Sequence, residues 1–277
     1  MIPLLYEELL RTALLEDLGR AGDLTTNAIV PADAVGTAQA VGRTPGVLSG
    51  LGPFARTFTL VDPRVEVTLH AADGDRVEPG TPIATAHGPL RAILVAERTA
   101  LNVLGHLSGV ATATNRLVAA VQGTMASIVD TRKTIPGMRA LQKQAVRDGG
   151  GHNHRFGLDD AILIKDNHVA IAGGVGNAIA AARAYAGHLV KIEVEVDSLE
   201  QLDAALAARA DIILLDNFSI DYLRAAVART ARRALLEASG RIDETTVRAV
   251  AETGVDLISS GALTHSVRTL DIGLDIT

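Results

Sequence analysis

Apolar and polar positions alternate in two different ways along this chain. The leucines of residues 4–18 recur close to a 3.6-residue period, and glycines and turn-forming residues follow them, so we expect a helix that ends near residue 19. Short runs of β-type residues separated by turns come next, in TAQAVGRTPGVLSG, VEVTLHAADGDRV and TPIATAHG. A helix followed by short strands predicts an α+β domain at the amino end.

The pattern changes near residue 91. A helical stretch with one apolar face comes first, and short apolar runs then alternate with Ala-rich helical ones. The strand candidates are ASIVD, AILIK, KIEVEV, DIILLD, ALLEAS and DLISS. Strands that alternate with helices are typical of parallel βαβ units, and this many units favour an incomplete (β/α) barrel over an open sheet.

Polar side chains end these strand candidates: Asp130, Lys165, Glu195, Asp216, Ser239, Ser259 and Ser260. The carboxyl ends of barrel strands meet at one mouth, where active sites lie. Strand ends are also polar simply because they meet solvent, but so many charged or hydroxyl ends favour a functional site. Glu193, Glu195 and Asp197 share one face of a strand, so at least one of them should point inward, on the side of the mouth opposite the cations.

The segment from Asp130 to His168 is basic, although the chain as a whole is acidic. Its cations are Arg132, Lys133, Arg139, Lys143, Arg147, Arg155 and Lys165. TIPGMRALQKQAV predicts a helix that begins at Thr134 and Pro136, with the cations 139, 143 and 147 on one face, where a solvated surface stripe is the simpler interpretation. Arg132 and Lys133 directly follow a strand end and are better candidates for ligand contact.

Several cations around one site suit a ligand with several anionic groups, because an arginine fork binds carboxylate or phosphate through two hydrogen bonds. Gly149–Gly151 allow close backbone approach beside His154 and Arg155. The loops EASGR and SSGALTHS offer glycine, hydroxyl and N–H groups for a phosphate. Carboxylates at the mouth suit a ribose and its Mg²⁺. A zinc site at the nearby histidines is not favoured, because neither an HExxH motif nor cysteine is present.

Composition excludes several classes of protein. The chain has 277 residues with 48% hydrophobic content, which is enough for a sizeable core. A net charge of -6 and a pI near 5.7 argue against a nucleic-acid partner. No apolar run approaches the roughly 18 residues that a membrane span needs. The amino end lacks a signal-peptide pattern. We therefore expect a cytoplasmic protein with neither a nucleic-acid nor a membrane partner.

Motifs along nearly the whole chain resemble one family, the quinolinate phosphoribosyltransferases. They are LLEDLGRAGDLTT, AERTALNVLGHLSGVAT, DTRKTIPG, GGGHNHRFGLDDAILIKDNH, IEVEVDSLEQL, IILLDNFS, EASG and GALTHS. The resemblance implies the conversion of quinolinate and phosphoribosyl pyrophosphate to nicotinate mononucleotide, pyrophosphate and CO₂ in NAD biosynthesis, with Mg²⁺ as cofactor. It also implies at least a homodimer. Its fold would be an α/β sandwich domain in residues 1–107, on which 267–277 pack back, followed by an incomplete barrel in 108–266.

The resemblance also implies roles for individual residues. The quinolinate site would contain Arg132, Lys133, His154, Arg155, Lys165 and, from the neighbouring subunit, Arg98. Glu195 and Asp216 would face the ribose and its Mg²⁺ and, with Lys165, serve catalysis. The 5′-phosphate would lie at Ser239, Gly240, Ser260, Gly261 and His265. The chain departs from the family at Arg241, where glycine is common, and at Gln144 and His152, which read as packing changes.

Three alternatives stay open at this stage. A related pyrophosphorylase of molybdenum transport operons shares the architecture, but its quinolinate contacts should be weakened, whereas the cations here are intact. A barrel aldolase would use Lys165 as a Schiff-base amine. A non-catalytic binding protein would hold the ligands without releasing CO₂. The Asp-Asp and Thr-Thr-Gly loop of the other phosphoribosyltransferase fold is not in the sequence.

Overall fold

The computed structural model describes residues 2–277, which group into two compact units. The first unit contains the residues up to 115 together with 134–150 and 263–277, and the second contains 116–133 and 151–262. Both units are therefore discontinuous in sequence. The division at residues 107 and 108 that the sequence suggests is not tested by this grouping and stays a prediction.

The first unit contains six strands, namely β1 Val35–Gly42, β2 Gly46–Val47, β3 Glu66–Leu69, β4 Arg76–Val77, β5 Pro82–Pro89 and β12 Ile272–Ile276. Four of them form an antiparallel sheet in the order β12-β1-β5-β3, and β2 pairs separately with β4. Its helices are a 3-10 turn Pro3–Leu5, α1 Glu7–Leu18, α2 Leu24–Ile29, α3 Leu51–Val61, α4 Leu90–Ala120 (to residue 115), α5 Arg139–Asp148 and α11 Ala262–His265 (from residue 263). The pairing of β12 with β1 brings the last strand of the chain beside the first strand.

Helix α5 belongs to the first unit because its apolar face packs there. Leu141, Ala145 and Val146 are buried in one cluster with Leu107 of α4 and Tyr6. The prediction that this helix begins at Thr134 is wrong, since residues 134–138 form a turn and the first helical residue is Arg139. The turn contains Gly137 in the left-handed region, at φ 79°.

The interpretation of the cationic stripe on α5 as a solvated surface is wrong for Lys143. Its residue surface is only 2% exposed, whereas Arg147, one turn further, is exposed. A buried ammonium needs polar partners to offset the loss of hydration. Lys143 is therefore not part of a solvated surface.

The second unit contains six parallel strands in the order β6-β11-β10-β9-β8-β7. They are β6 Ser127–Val129, β7 Ile162–Ile164, β8 Ile192–Val196, β9 Ile212–Asp216, β10 Leu235–Ser239 and β11 Leu257–Ser259. Its helices are α6 Asp166–Ala172, α7 Val175–Tyr185, α8 Leu199–Ala207, α9 Ile220–Thr230 and α10 Val247–Ala251. All six predicted strands, and the predicted parallel βαβ architecture, are confirmed.

The barrel is incomplete between β6 and β7, the two ends of this strand order. His152 partly fills the interval, because its backbone forms a parallel bridge with Val129 of β6. The segment that leads from His152 into His154 and Arg155 is thereby fixed to the end of β6. The backbone places these two residues beside Asp130.

Local sequence explains where the helices of this unit begin. Ser198 and Ser219 accept hydrogen bonds from the N–H groups of Gln201 and Tyr222, which caps α8 and α9. The run DETTVRAVAET has a helical composition, yet α10 begins only at Val247, because the Asp243 carboxylate accepts hydrogen bonds from the N–H groups of Thr245 and Thr246 in a turn. None of the helices formed by residues 2–277 is long and apolar enough to cross a membrane.

Candidate active site

The carboxyl ends of neighbouring strands bring Lys165 and Glu195 together. Lys165 follows β7, Glu195 lies near the end of β8, and Lys165 Nζ is 3.1 Å from Glu195 Oε2. The lysine side chain is half exposed, whereas that of Glu195 is 17% exposed. The expectation that the acids lie opposite the cations is wrong for this pair, because β7 and β8 are adjacent. The ion pair keeps an ammonium group at the mouth.

Two guanidinium groups, those of Arg132 and Arg155, lie close enough to each other for their charges to interact. Burial lowers the pKa of Arg155, and the nearby charge of Arg132 lowers it further. Arg155 Nη1 donates to the Ala161 carbonyl at 3.2 Å, but its buried Nε has no hydrogen-bond partner among residues 2–277. A buried donor without an acceptor, beside a second cation, is what a bound anion would satisfy. Lys133, the next residue after Arg132, is exposed.

A buried polar cluster fixes the segment that carries Arg155. Asp130 is fully buried and accepts hydrogen bonds from Asn153 Nδ2 at 2.6 Å and from the His154 N–H at 2.9 Å. The His154 side chain is 13% exposed, and its Nε2 lies 2.8 Å from Glu193 Oε2 and 3.7 Å from Glu237 Oε2. His154 is thus among buried acids, and its predicted contact with quinolinate stays a prediction.

Glu193 and Glu237 are among the most deeply buried acids of this unit, with 4% and 1% of their surfaces exposed. Burial raises the pKa of Glu237 from 4.5 to about 7, and the charge of Glu193 adds to the rise. From the sequence, Glu193 was one of three acids that could point into the barrel, whereas Glu237 was not predicted. A signal was present, since Glu237 interrupts the apolar run of a predicted strand, ALLEAS.

The raised pKa of Glu237 predicts that the folded state loses stability as the pH rises from about 4.5 to 7. The folded protein holds a proton that the unfolded chain releases near pH 4.5, so the contribution declines as pH rises to about 7, by about 3 kcal/mol in all. Glu237→Gln should remove this decline. The expected result is a variant that gains stability relative to wild type between pH 4.5 and 7, measured by urea unfolding, while exposed Glu200→Gln does not. Parallel curves for wild type and Glu237→Gln would contradict the assignment.

The predicted phosphate loops follow the adjacent strands β10 and β11. Gly240 has φ 109°, and a Cβ there would collide with Asn217 Oδ1, so only glycine fits. Ser260 is buried, its N–H donates to the Val129 carbonyl, and its Oγ donates to the Ile242 carbonyl at 3.2 Å. The two loops are therefore tied to each other and to β6, with Gly261 immediately after Ser260.

Asp216 ends β9 at the same level as Ser239 of β10. It is half-buried and accepts a hydrogen bond from Asn217 Nδ2 at 2.8 Å. Asp216 therefore lies between the strand that carries Glu195 and the strand that carries the Ser239 loop. A carboxylate in this position suits hydroxyl groups of a sugar whose phosphate occupies the loops.

The residues predicted as Mg²⁺ ligands fit a weakly held ion. Glu195 and Asp216 supply carboxylate oxygens, which Mg²⁺ prefers, from neighbouring strands. Within residues 2–277, the group of three potential ligands close enough to hold an ion is His154, Glu193 and Glu237, to which neither belongs. Glu195 and Asp216 therefore suit an ion that obtains its other ligands from substrate and water.

Some predicted site residues belong to the first unit. Arg98 lies exposed on α4, and no hydrogen bond or ion pair joins it to another described residue. His265 is exposed at the end of α11, with Nδ1 2.6 Å from Ser266 Oγ. Gln144 donates to Asp148 within α5. The roles predicted for Arg98 and His265 stay predictions.

An incomplete (β/α) barrel with these charges at its strand ends is an enzyme fold suited to small anionic substrates. The chain belongs to the quinolinate phosphoribosyl transferase family. Residues 23–108 match the N-terminal domain of that family, and residues 110–275 match its C-terminal domain.

Individual relatives agree with this family. The chain is 51% identical over 272 residues to the nicotinate-nucleotide pyrophosphorylase [carboxylating] of Mycobacterium leprae, covering 96% of this chain and 95% of the relative. It is 45% identical to the probable enzyme of that name from Bacillus subtilis, covering 98% and 93%. The solved nicotinate-nucleotide pyrophosphorylase from Francisella tularensis is 40% identical, with a TM-score of 0.96 over 100% of this chain and 98% of the other. The predicted family and fold class are confirmed.

Proposed function

We propose that the protein transfers the phosphoribosyl group of phosphoribosyl pyrophosphate to quinolinate with loss of CO₂, in de novo NAD biosynthesis. Its family membership supports the reaction class. The observation that carries the proposal is the pairing of Arg132 with Arg155, whose buried Nε lacks an acceptor, at a mouth that also holds carboxylates. A dicarboxylate needs positively charged partners, and a ribosyl cation needs negatively charged ones.

The cationic side chains at the mouth would bind quinolinate. Arg132 and Arg155 would each take part in binding a carboxylate, and the ammonium group of Lys165 would orient the 2-carboxylate. Lys165 Nζ forms an ion pair with Glu195 Oε2 at 3.1 Å. That ion pair also argues against the aldolase alternative, which needs a neutral lysine to form a Schiff base.

The carboxylates at the mouth would serve the sugar. As the bond from C1 of the ribose to pyrophosphate breaks, its electron pair leaves with pyrophosphate and positive charge develops on the ring. Glu195 and Asp216 would stabilise that charge and bind ribose hydroxyls, while Mg²⁺, when bound, would neutralise the departing pyrophosphate. The pyridine nitrogen then forms the new bond to C1.

Decarboxylation follows from the charge on the pyridine ring. Once the nitrogen carries the ribose it is cationic, so the electron pair of the bond to the 2-carboxylate can remain on the ring as CO₂ leaves. A proton from solvent completes the product, nicotinate mononucleotide. The protein would orient the substrate so that the 2-carboxylate is the group that leaves, and no side chain needs to act as an acid.

The finer points of assembly are also proposed. We expect a homodimer or larger homo-oligomer in which Arg98 reaches the quinolinate site of the neighbouring subunit, and we expect the protein in the cytoplasm. Arg98 supports this proposal because it is an exposed cation without an ion pair among residues 2–277. Cross-subunit complementation of Arg98→Ala with Lys165→Ala tests it, since a mixed dimer with one intact site should regain activity.

One assay tests the proposed function. Purified protein with Mg²⁺ and phosphoribosyl pyrophosphate should release equal amounts of CO₂ and pyrophosphate from quinolinate. Nicotinic acid, which lacks the 2-carboxylate, should react poorly. Binding of quinolinate without CO₂ release would instead support a non-catalytic protein, and a preference for nicotinic acid would overturn the proposal.

Arg241 allows a separate prediction about the phosphate loop. It is exposed, forms no hydrogen bond or ion pair with residues 2–277, and has φ 49°, which disfavours a residue with a Cβ. Arg241→Gly should raise the melting temperature slightly, because the strain disappears, yet raise KM for phosphoribosyl pyrophosphate about three- to tenfold through loss of a cation. Arg241→Lys serves as the control, because it retains the positive charge and a Cβ at this position. An unchanged KM in Arg241→Gly would show that the side chain does not contact substrate.

A further inference from the structure

Both ring nitrogens of His154 are bonded to protein. Nδ1 accepts the backbone N–H of Arg155 at 2.7 Å, and Nε2 lies 2.8 Å from Glu193 Oε2. An imidazole that accepts at Nδ1 carries its proton on Nε2, which it donates to Glu193. His154 therefore links a buried carboxylate to the backbone of the arginine predicted to bind substrate.

Glu237 is a second carboxyl group at the same N–H. Its Oε2 is 3.7 Å from His154 Nε2, which is too long for a hydrogen bond, and its Oε1 is buried without a hydrogen-bond partner among residues 2–277, as is Oε1 of Glu193. Two buried carboxylates this close cannot both be charged without a large loss of stability. One N–H cannot satisfy both of them.

We propose that Glu237 is a positioning residue, which as a neutral carboxylic acid leaves Glu193 as the acceptor of the His154 Nε2–H and so keeps Arg155 in place for a dianionic substrate. The proposal rests on the proposed binding of quinolinate at Arg155. Ionisation of Glu237 would place a competing acceptor beside His154 Nε2–H and add negative charge near the arginine. The protonated state of Glu237 is then the state that binds the dianion.

The groups that face Glu237 come from four elements. They are Glu193 of β8, His154 before β7, Asp130 after β6 and Ser259 of β11, which donates a hydrogen bond to it. Burial and the two acids raise the pKa of Glu237, and the histidine and serine oppose the rise, with a result of about 7. A bound dianion adds further negative charge, so quinolinate binding should be accompanied by proton uptake on Glu237.

The test measures quinolinate binding by calorimetry between pH 6 and 8.5, without phosphoribosyl pyrophosphate, whose phosphate titrates in this range. Wild-type affinity should fall about tenfold as pH rises, the order expected when one more negative charge faces a dianion in a partly screened site. Glu237→Gln, which has the shape of the neutral acid, should bind at pH 6 within about twofold of wild type and show little change with pH. Exposed Glu200→Gln should keep the wild-type slope.

A second measurement separates positioning from general damage. At pH 7.5, titrations in two buffers with different ionisation enthalpies should show net proton uptake by wild type and none by Glu237→Gln. The kcat of the variant should stay within about threefold of wild type at saturating substrate, because Glu237 would act on binding. A wild-type slope, or wild-type proton uptake, in Glu237→Gln overturns the positioning role. If wild type binds no quinolinate at any pH, the proposed function fails first and the positioning role falls with it.

Discussion

Arg132→Ala should lower kcat/KM for quinolinate by about 10²- to 10³-fold. A bound dicarboxylate would lose one charge-assisted fork, and an unmatched carboxylate in a half-buried site costs about 3 to 4 kcal/mol. Steady-state kinetics with varied quinolinate measure the effect. KM for phosphoribosyl pyrophosphate should change far less, since the sugar phosphate is expected at other loops.

Two further variants make the Arg132 result specific. Arg132→Lys keeps the charge but not the planar fork, so it should recover only part of the activity. Arg229→Ala removes an exposed arginine that pairs with Asp203 at 3.0 Å on the outer helices, and it should leave activity near wild type. If Arg132→Ala retained full activity, Arg132 would not belong to the quinolinate site.

Glu195→Gln should lower kcat by about 10²-fold or more, the loss that follows when a group aimed at developing charge is removed. The amide keeps the size of the side chain but no longer carries the negative charge that would stabilise a ribosyl cation. A single-turnover measurement of pyrophosphate release at saturating substrates gives the rate of cleavage of the bond between C1 and pyrophosphate directly. Melting temperature should stay close to wild type, because Glu195 is not in the core.

The ion pair with Lys165 needs a control in the Glu195 experiment. Glu195→Gln also removes the partner of Lys165 Nζ, so quinolinate binding has to be measured separately. We expect quinolinate affinity to change by less than about fivefold, because freeing the ammonium group leaves it available to the carboxylate. A loss in quinolinate affinity as large as the loss in kcat would mean that Glu195 acts by placing Lys165.

Much of the second unit could be predicted because its signals are local. Each of its strands is a short apolar run bounded by polar residues, and the alternation with helices implies parallel order. The strand ends then had to meet at one edge, which placed Lys165, Glu195 and Asp216 at one mouth. The adjacency of Lys165 and Glu195 was not predicted, because the acids were expected opposite the cations. The antiparallel pairing of β12 with β1 is long-range, and no local pattern specifies it.

What the sequence did not reveal depends on contacts between distant residues. Glu237 differs from other strand glutamates because the fold places His154 and Glu193 next to it. These two residues are distant in sequence, so the strand alone does not reveal the contact. Lys143 lies at a helical spacing that fits an exposed stripe, yet the packing of α5 buries it. Periodicity identifies faces of elements but not what covers them.

The most direct test is a crystal structure with quinolinate bound. The guanidinium groups of Arg132 and Arg155 should lie within about 2.7–3.1 Å of the ligand's carboxylate oxygens, with Lys165 on the 2-carboxylate side. Arginine heads that point into solvent, away from the bound diacid, would contradict it.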